Sequence, residues 1–177
     1  MDVTQRTLHT AELTAAELDG IRALLDAAFE GGFSDDDWDH TLGGVHALVH
    51  HGPDLVAHGS VVQRRVLHAG RSYRVGYVEG VAVRADLRRH GLGGLVMAPL
   101  EQVVEAAYAF GALSASAKGA PLYRARGWRV WGGRIEVLAP HGVVPLPEEE
   151  GTTYVWGRQV PCAEGALTFD WRDGDVL

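Results

Sequence analysis

The stretch from Tyr77 to Gly94 constrains this chain more than any other. Tyr77-Val78-Glu79-Gly80-Val81-Ala82-Val83-Arg84 closes a long strand that begins near Ser72. Arg88-Arg89-His90-Gly91-Leu92-Gly93-Gly94 follows, and an apolar run of helical period then extends from about Leu95 to Phe110. A strand that feeds a glycine-rich turn and then a helix commits the chain to mixing helix with sheet. It also makes an anion site, because the helix N-terminus presents unpaired amides and glycine lets the backbone approach closely. No Gly-Lys-Ser/Thr follows, and the glycine spacing is not that of the dinucleotide fingerprint.

The flanking sequence fits around this unit. Thr7 to Thr10 reads as a short strand, and Thr14-Ala15-Ala16-Glu17 is a capping box that opens a helix through Ala28. Gly31-Gly32 stops that helix, and Ser34-Asp35-Asp36-Asp37 opens a second that ends at Gly43-Gly44. His46 to His50 and Leu55 to Leu67 read as strands joined by His51-Gly52-Pro53-Asp54. Leu113 to Ser116 is a strand, Ala117 to Arg126 a short helix, and Trp128 to Trp131 and Ile135 to Leu138 are strands. Pro140 to Glu150 reads as a loop, with late strands at Tyr154-Val155-Trp156 and Leu167-Thr168-Phe169. With no repeat and no linker, the 177 residues form one domain, 1–177, of the α/β (α+β) class: a mixed central sheet flanked by helices.

Charge and composition narrow the function. The net charge of -7 argues against nucleic acid and favours cationic partners. Arg64, Arg65, Arg71, Arg74, Arg84, Arg88 and Arg89 crowd the middle. Asp35, Asp36, Asp37 and Asp39 crowd an early segment, Glu148 to Glu150 a later one, and Asp170, Asp173 and Asp175 the tail. This pattern suits one anionic and one cationic ligand; solvated surface charge is the plainer reading. No apolar run approaches the ~18 residues of a membrane span. The first residues lack a signal peptide, so a cytoplasmic protein is expected. Cys162 is the one cysteine, and His46, His50 and His51 lack the spacing and partners of a zinc site, so no metal is expected.

Arg88-x-x-Gly91-x-Gly93, directly after Val81-x-Val83 on a strand, resembles the coenzyme A motif of the GCN5-related N-acetyltransferases. Leu122-Tyr123-x-x-x-Gly127-Trp128 resembles the superfamily's second signature. Four longer blocks are similar to the aminoglycoside 2'-N-acetyltransferases. They are Trp38-x-His40-Thr41-Leu42-Gly43-Gly44-x-His46-Ala47-Leu48, Gly76 to Asp86, Gly111-Ala112-Leu113-Ser114, and Asp170-Trp171-Arg172-x-Gly174-Asp175-Val176. The resemblance covers nearly the whole chain. It implies the acyl-CoA N-acyltransferase (GNAT) fold, acetyl-CoA as co-substrate, a homodimer, and transfer of acetyl to the 2'-amine of an aminoglycoside, giving resistance to these antibiotics.

The resemblance also implies roles. The backbone of Val81, Ala82 and Val83 would hold the acetyl carbonyl and the pantetheine arm. Arg88, Arg89, His90, Gly91, Leu92 and Gly93 would cradle the pyrophosphate. Glu79 would be the general base, acting through water, since a carboxylate with a pKa of about 4.3 is ionised at neutral pH; a salt bridge to an arginine is its structural alternative. Tyr123 would protonate the leaving thiolate. Asp37, Glu79 with the Gly80 carbonyl, Ser114, Glu149, Asp175 and the carboxylate of Leu177 would receive the acceptor's ammonium groups, although Asp35 and Asp37 also suit helix capping. The chain departs from some relatives at Gly32, where they carry an acid that Glu30 or Asp35 would replace here, and at Leu177, where they carry tryptophan. Two other functions remain open on the sequence: the same fold acetylating another amine or hydroxyl (a polyamine, a cell-wall sugar, a peptide N-terminus), and a non-catalytic acyl-CoA-binding module.

Overall fold

The computed structural model describes residues 2–162 and 164–177; Met1 and Ala163 lie outside the described residues. The chain forms two compact units, one built from the residues up to Val62 together with Val78–Val103, the other from Gln63–Tyr77 and Val104–Leu177. Strands β3 (Asp54–His68) and β4 (Arg71–Val83) run through both.

In the first unit β1 (Thr4–His9) pairs antiparallel with β2 (Val45–His51), and β2 with β3. Helix α1 (Ala15–Ala28) starts where Thr14 and Glu17 exchange capping hydrogen bonds. The Thr14 amide and hydroxyl, with Arg6 beyond them, hold the Glu17 carboxyl down to about 2. Helix α2 (Asp35–Thr41) starts the same way, with Ser34 and Asp37 as the reciprocal pair. Ile21, Leu24 and Leu25 of α1 bury themselves with Phe33, Leu48 and Ala82, and each fully buried side chain contributes roughly 1.5–3 kcal/mol.

Helix α3 (Leu92–Ala107) follows the glycine-rich turn. It lies close on β3 because Gly59 leaves room there; a Cβ at that position would stand 2.6 Å from Val96 Cγ1. Pro99 sits inside α3 and cannot donate to the Leu95 carbonyl one turn back. The Gln5 side chain fills that vacancy, its Nε2 donating to Leu95 O at 3.0 Å.

The second unit adds β5 (Phe110–Ser114), α4 (Ala120–Ala125), β6 (Arg129–Val130), β7 (Ile135–Ala139), β8 (Gly142–Pro145), β9 (Thr153–Trp156) and β10 (Leu167–Asp170). The strand order is β6-β9-β5-β4-β3-β10-β7-β8. β4 with β5 and β10 with β7 are parallel, whereas β10 with β3 and β5 with β9 are antiparallel, so the sheet is mixed. Arg64 on β3 is only 3% exposed. Its Nε donates to Asp170 Oδ1 at 2.7 Å and its Nη1 to the Val176 carbonyl at 2.6 Å. The guanidinium lies over both the Tyr77 and Phe169 rings, with centroid distances of 5.0 and 5.2 Å, and the two rings meet edge to face at 5.8 Å.

The architecture agrees with the expectation, and the differences are local. α3 begins three residues earlier than the periodicity indicated, because Gly93 and Gly94 form its first turn: the Gly94 and Leu95 amides both donate to Gly91 O. Phe110 correspondingly belongs to a strand. The first strand starts at Thr4 instead of Thr7, and α4 is shorter than expected at both ends. The proline- and glutamate-rich segment 140–150 is not simply a loop. Gly142–Pro145 pairs antiparallel with β7, and Pro147–Glu149 forms a 3-10 turn. Arg64, counted in sequence with the basic middle, is an interior residue of its unit.

Candidate active site

In the first unit the end of β4 and the turn after it carry most of the residues expected to act on acetyl-CoA. Glu79 and Gly80 are half-buried, Val81 and Val83 partly buried, and Ala82 buried. Gly80 has φ +55 inside the strand, a left-handed conformation that glycine adopts readily. A side chain there would be strained and would meet Thr41 Cγ2 at 2.9 Å.

The Gly80 carbonyl accepts a hydrogen bond from His58 Nδ1 at 2.8 Å. His58 Nε2 lies 2.9 Å from His46 Nδ1, and His46 Nε2 lies 2.7 Å from the Thr10 hydroxyl. Both imidazoles are fully buried. Burial pushes His58 down to about 3, reinforced by His46 and opposed by the Gly80 carbonyl. Burial likewise pushes His46 down to about 4, with His9 adding to it. Both rings are therefore neutral near pH 7. The sequence reading missed this pair, because it grouped His46 with His50 and His51.

The turn after β4 is exposed and basic. Arg84 is anchored by its amide to Val56 O and by its guanidinium to Asp86 and Asp54. Arg88 Nε donates to Val83 O at 3.3 Å, and His90 Nδ1 donates to Arg88 O at 2.9 Å. Arg89 and Gly91 both take positive φ, and space beyond Gly91 is open. Arg88, Arg89, His90 and Gly91 are exposed, while Leu92 is buried and anchors the helix start. Exposed guanidiniums beside the α3 N-terminus fit a pyrophosphate. Asp37 is part-buried and one of its oxygens is used in capping α2. Asp35 is paired with Arg22 at 2.9 Å.

In the second unit, Ser114 at the end of β5 donates to Glu149 Oε2 at 2.7 Å, so two residues expected to bind the acceptor stand together. Thr152 also donates to that oxygen, and the Glu149 carbonyl accepts from Thr153. Glu148 and Glu150 are exposed. Tyr123 is 7% exposed on α4, and its ring packs against Trp128 and Tyr154 at 6.2 Å from each. The Val176 carbonyl accepts from both Arg64 and Arg172, which fixes the tail that carries Asp175 and Leu177. Asp175 is exposed and Leu177 half-buried. Among the described residues no cluster of histidine, cysteine, aspartate or glutamate could hold a metal, and no helix is long and apolar enough to cross a membrane.

Residues 9–131 match the acetyltransferase (GNAT) domain family. The chain is 46% identical, over 98% of its length and 91% of the relative's, to the aminoglycoside 2'-N-acetyltransferase of Mycolicibacterium fortuitum. Among solved structures, Escherichia coli ElaA aligns with a TM-score of 0.62 at 18% identity, over 88% of this chain and 100% of that one. A GCN5-related N-acetyltransferase from Kribbella flavida aligns with a TM-score of 0.60 at 21% identity, over 75% of this chain. The match spans only 34% of that longer protein. At these identities the structures speak for the fold, and the sequence matches for the family: the chain belongs to the GNAT acetyltransferases.

Proposed function

We propose that this protein is a single acetyltransferase domain, residues 1–177, that moves acetyl from acetyl-CoA to the 2'-amine of aminoglycosides in the cytoplasm and so protects against them. The observation that carries this reading is the 46% identity to a relative of that activity over 98% of the chain. The acidic balance and the Glu149 carboxylate held by Ser114 and Thr152 suit a polycationic acceptor.

In the proposed reaction the acceptor nitrogen attacks the thioester carbonyl carbon within a ternary complex. Glu79 takes the amine proton through water. The Val81 N–H donates to the developing oxyanion. The carbon–sulfur bond then breaks, and the thiolate takes a proton from the Tyr123 hydroxyl. The exposed Arg88–Gly93 turn holds the pyrophosphate. Asp37, the Gly80 carbonyl, Ser114, Glu149, Asp175 and the backbone of Leu177 receive ammonium groups. A homodimer is part of the proposal, supported by Leu138, Val143 and Val144, apolar and exposed on β7 and the neighbouring β8.

The test is acetyl-CoA-dependent thiol release with gentamicin or tobramycin, which carry a 2'-amine, beside kanamycin A or amikacin, which carry a 2'-hydroxyl. Turnover confined to the first pair supports the reading. Turnover with neither, with coenzyme A still bound, overturns the acceptor and leaves the fold.

A further inference from the structure

The hydrogen bonds around the buried histidines have one possible direction. A carbonyl oxygen only accepts, so His58 Nδ1 carries the proton that reaches Gly80 O. A neutral imidazole has one N–H, so His58 Nε2 is an acceptor and the contact from His46 Nδ1 is a donation. By the same logic His46 Nε2 accepts, and the Thr10 hydroxyl, which also stands 3.2 Å from Gly44 O, donates to the nearer imidazole nitrogen at 2.7 Å. Thr10 Oγ1 itself accepts from the Gly43 amide at 2.9 Å. Every bond from Gly43 through Thr10, His46 and His58 to Gly80 points the same way.

The last acceptor is what matters. The Gly80 carbonyl and the Val81 N–H belong to one planar peptide unit, and among the described residues no peptide bond is cis. Fixing the carbonyl on one side therefore fixes the direction of the N–H on the other. An aligned chain of hydrogen bonds also polarises each member, making the terminal N–H a better donor. Gly80 has no side chain to hold its left-handed backbone, so His58 supplies the external tether.

We propose that His58, aligned by His46 and Thr10, is a positioning residue that orients and polarises the Gly80–Val81 peptide as the oxyanion donor for acetyl transfer. This rests on the proposed role of Val81 but not on the identity of the acceptor. His58 touches neither substrate nor coenzyme in this scheme; it acts through the peptide.

The test compares His58→Leu, which removes the donor, with His58→Asn, whose amide places an N–H close to where Nδ1 stands. The first readout needs no acceptor: the affinity ratio of acetyl-CoA to S-ethyl-CoA, a thioether lacking the carbonyl. Wild type is expected to prefer acetyl-CoA, His58→Leu to lose most of that preference, and His58→Asn to recover it. The second readout is kinetic. Removing an oxyanion donor costs about 10²–10³ in kcat, and misaligning one is expected to cost about tenfold to a hundredfold. The fall in kcat should exceed any rise in the acceptor KM, with His58→Asn returning kcat to within about fivefold of wild type. The third is ¹⁵N NMR of the wild type, where His46 and His58 should both be Nδ1–H tautomers near pH 7.

Wild type that binds the two coenzymes equally would overturn the proposal, as would His58→Leu with unchanged kcat and ratio. So would His58→Asn as impaired as His58→Leu, or an Nε2–H tautomer at His58. If His58→Leu does not fold, Thr10→Val weakens the same chain from its far end and should lower the ratio and kcat in the same sense; no change in either refutes the relay. Failure to acetylate any aminoglycoside, with the coenzyme preference present in wild type and lost in His58→Leu, would sink the proposed acceptor and leave this inference standing.

Discussion

Replacing Gly80 with alanine tests the left-handed position on which the proposed reaction geometry depends. Two costs are involved. The φ of +55 places an L-residue in the left-handed region, worth roughly 1–2 kcal/mol. The new methyl would also stand 2.9 Å from Thr41 Cγ2 and 3.5 Å from Leu25 Cδ1. Thr41 is fully buried, and its hydroxyl donates to Trp38 O at 2.7 Å, so it cannot rotate away without breaking that bond. Overpacking of this kind costs typically about 1–3 kcal/mol. Gly52 is the natural control, because its φ is +59 and nothing lies within 4 Å of an added Cβ. The backbone term and the effect of alanine on the unfolded chain then nearly cancel. Gly80→Ala is expected to cost at least about 1 kcal/mol more than Gly52→Ala, read from urea midpoints at unchanged m-value. Equal costs would refute the close packing of Gly80 against α1 and α2.

Other consequences are separable. In the unfolded chain His46 and His58 take protons near pH 6.5, whereas in the fold burial holds them to about 4 and 3. Between those values the unfolded state binds more protons, so stability falls as pH drops below 6.5, by up to ~1.4 kcal/mol per pH unit per histidine; urea melts at pH 7 and 5 should show a shallower dependence for His58→Asn, and an unchanged slope contradicts the assignment. Pro99→Ala should restore the amide that Leu95 O lacks within α3 and stabilise the protein by about 1–3 kcal/mol. In that background Gln5→Ala should lose most of its effect, so additive double-mutant melts would contradict the compensation. Glu79→Gln should leave acetyl-CoA binding intact and lower kcat; an unchanged rate across pH would remove Glu79 as the base.

The sequence made the strand–turn–helix from Ser72 onward readable because its signals are local: β-branched residues, then Arg88 to Gly94, then a helical period. It did not reveal the histidine pair, for a reason of register. At the turn, His50 faces Leu55 and His51 faces Asp54. Continued unbroken, that pairing would put His46 opposite Gly59 and His58 opposite Ala47, on different faces. The irregularity between Val49 and His50 shifts the register by one, so His46 faces Ser60 and Leu48 faces His58, and the two rings share a face. A bulge of this kind leaves no mark in hydrophobic alternation. Arg64 was more legible than it looked: along Val62 to His68 every second residue is buried, and Arg64 has the parity of Val62, Val66 and His68. The meeting of Ser114 with Glu149, 35 residues apart, came from the family resemblance and not from any local pattern.

The measurement closest to the central claim is the position of the acetyl group in the product formed from tobramycin, which offers several amines. The account predicts a single mono-acetylated product whose NMR correlations place the acetyl on the 2'-nitrogen, formed with one free coenzyme A thiol per turnover. Acetyl on any other nitrogen, or a mixture of sites, would contradict it.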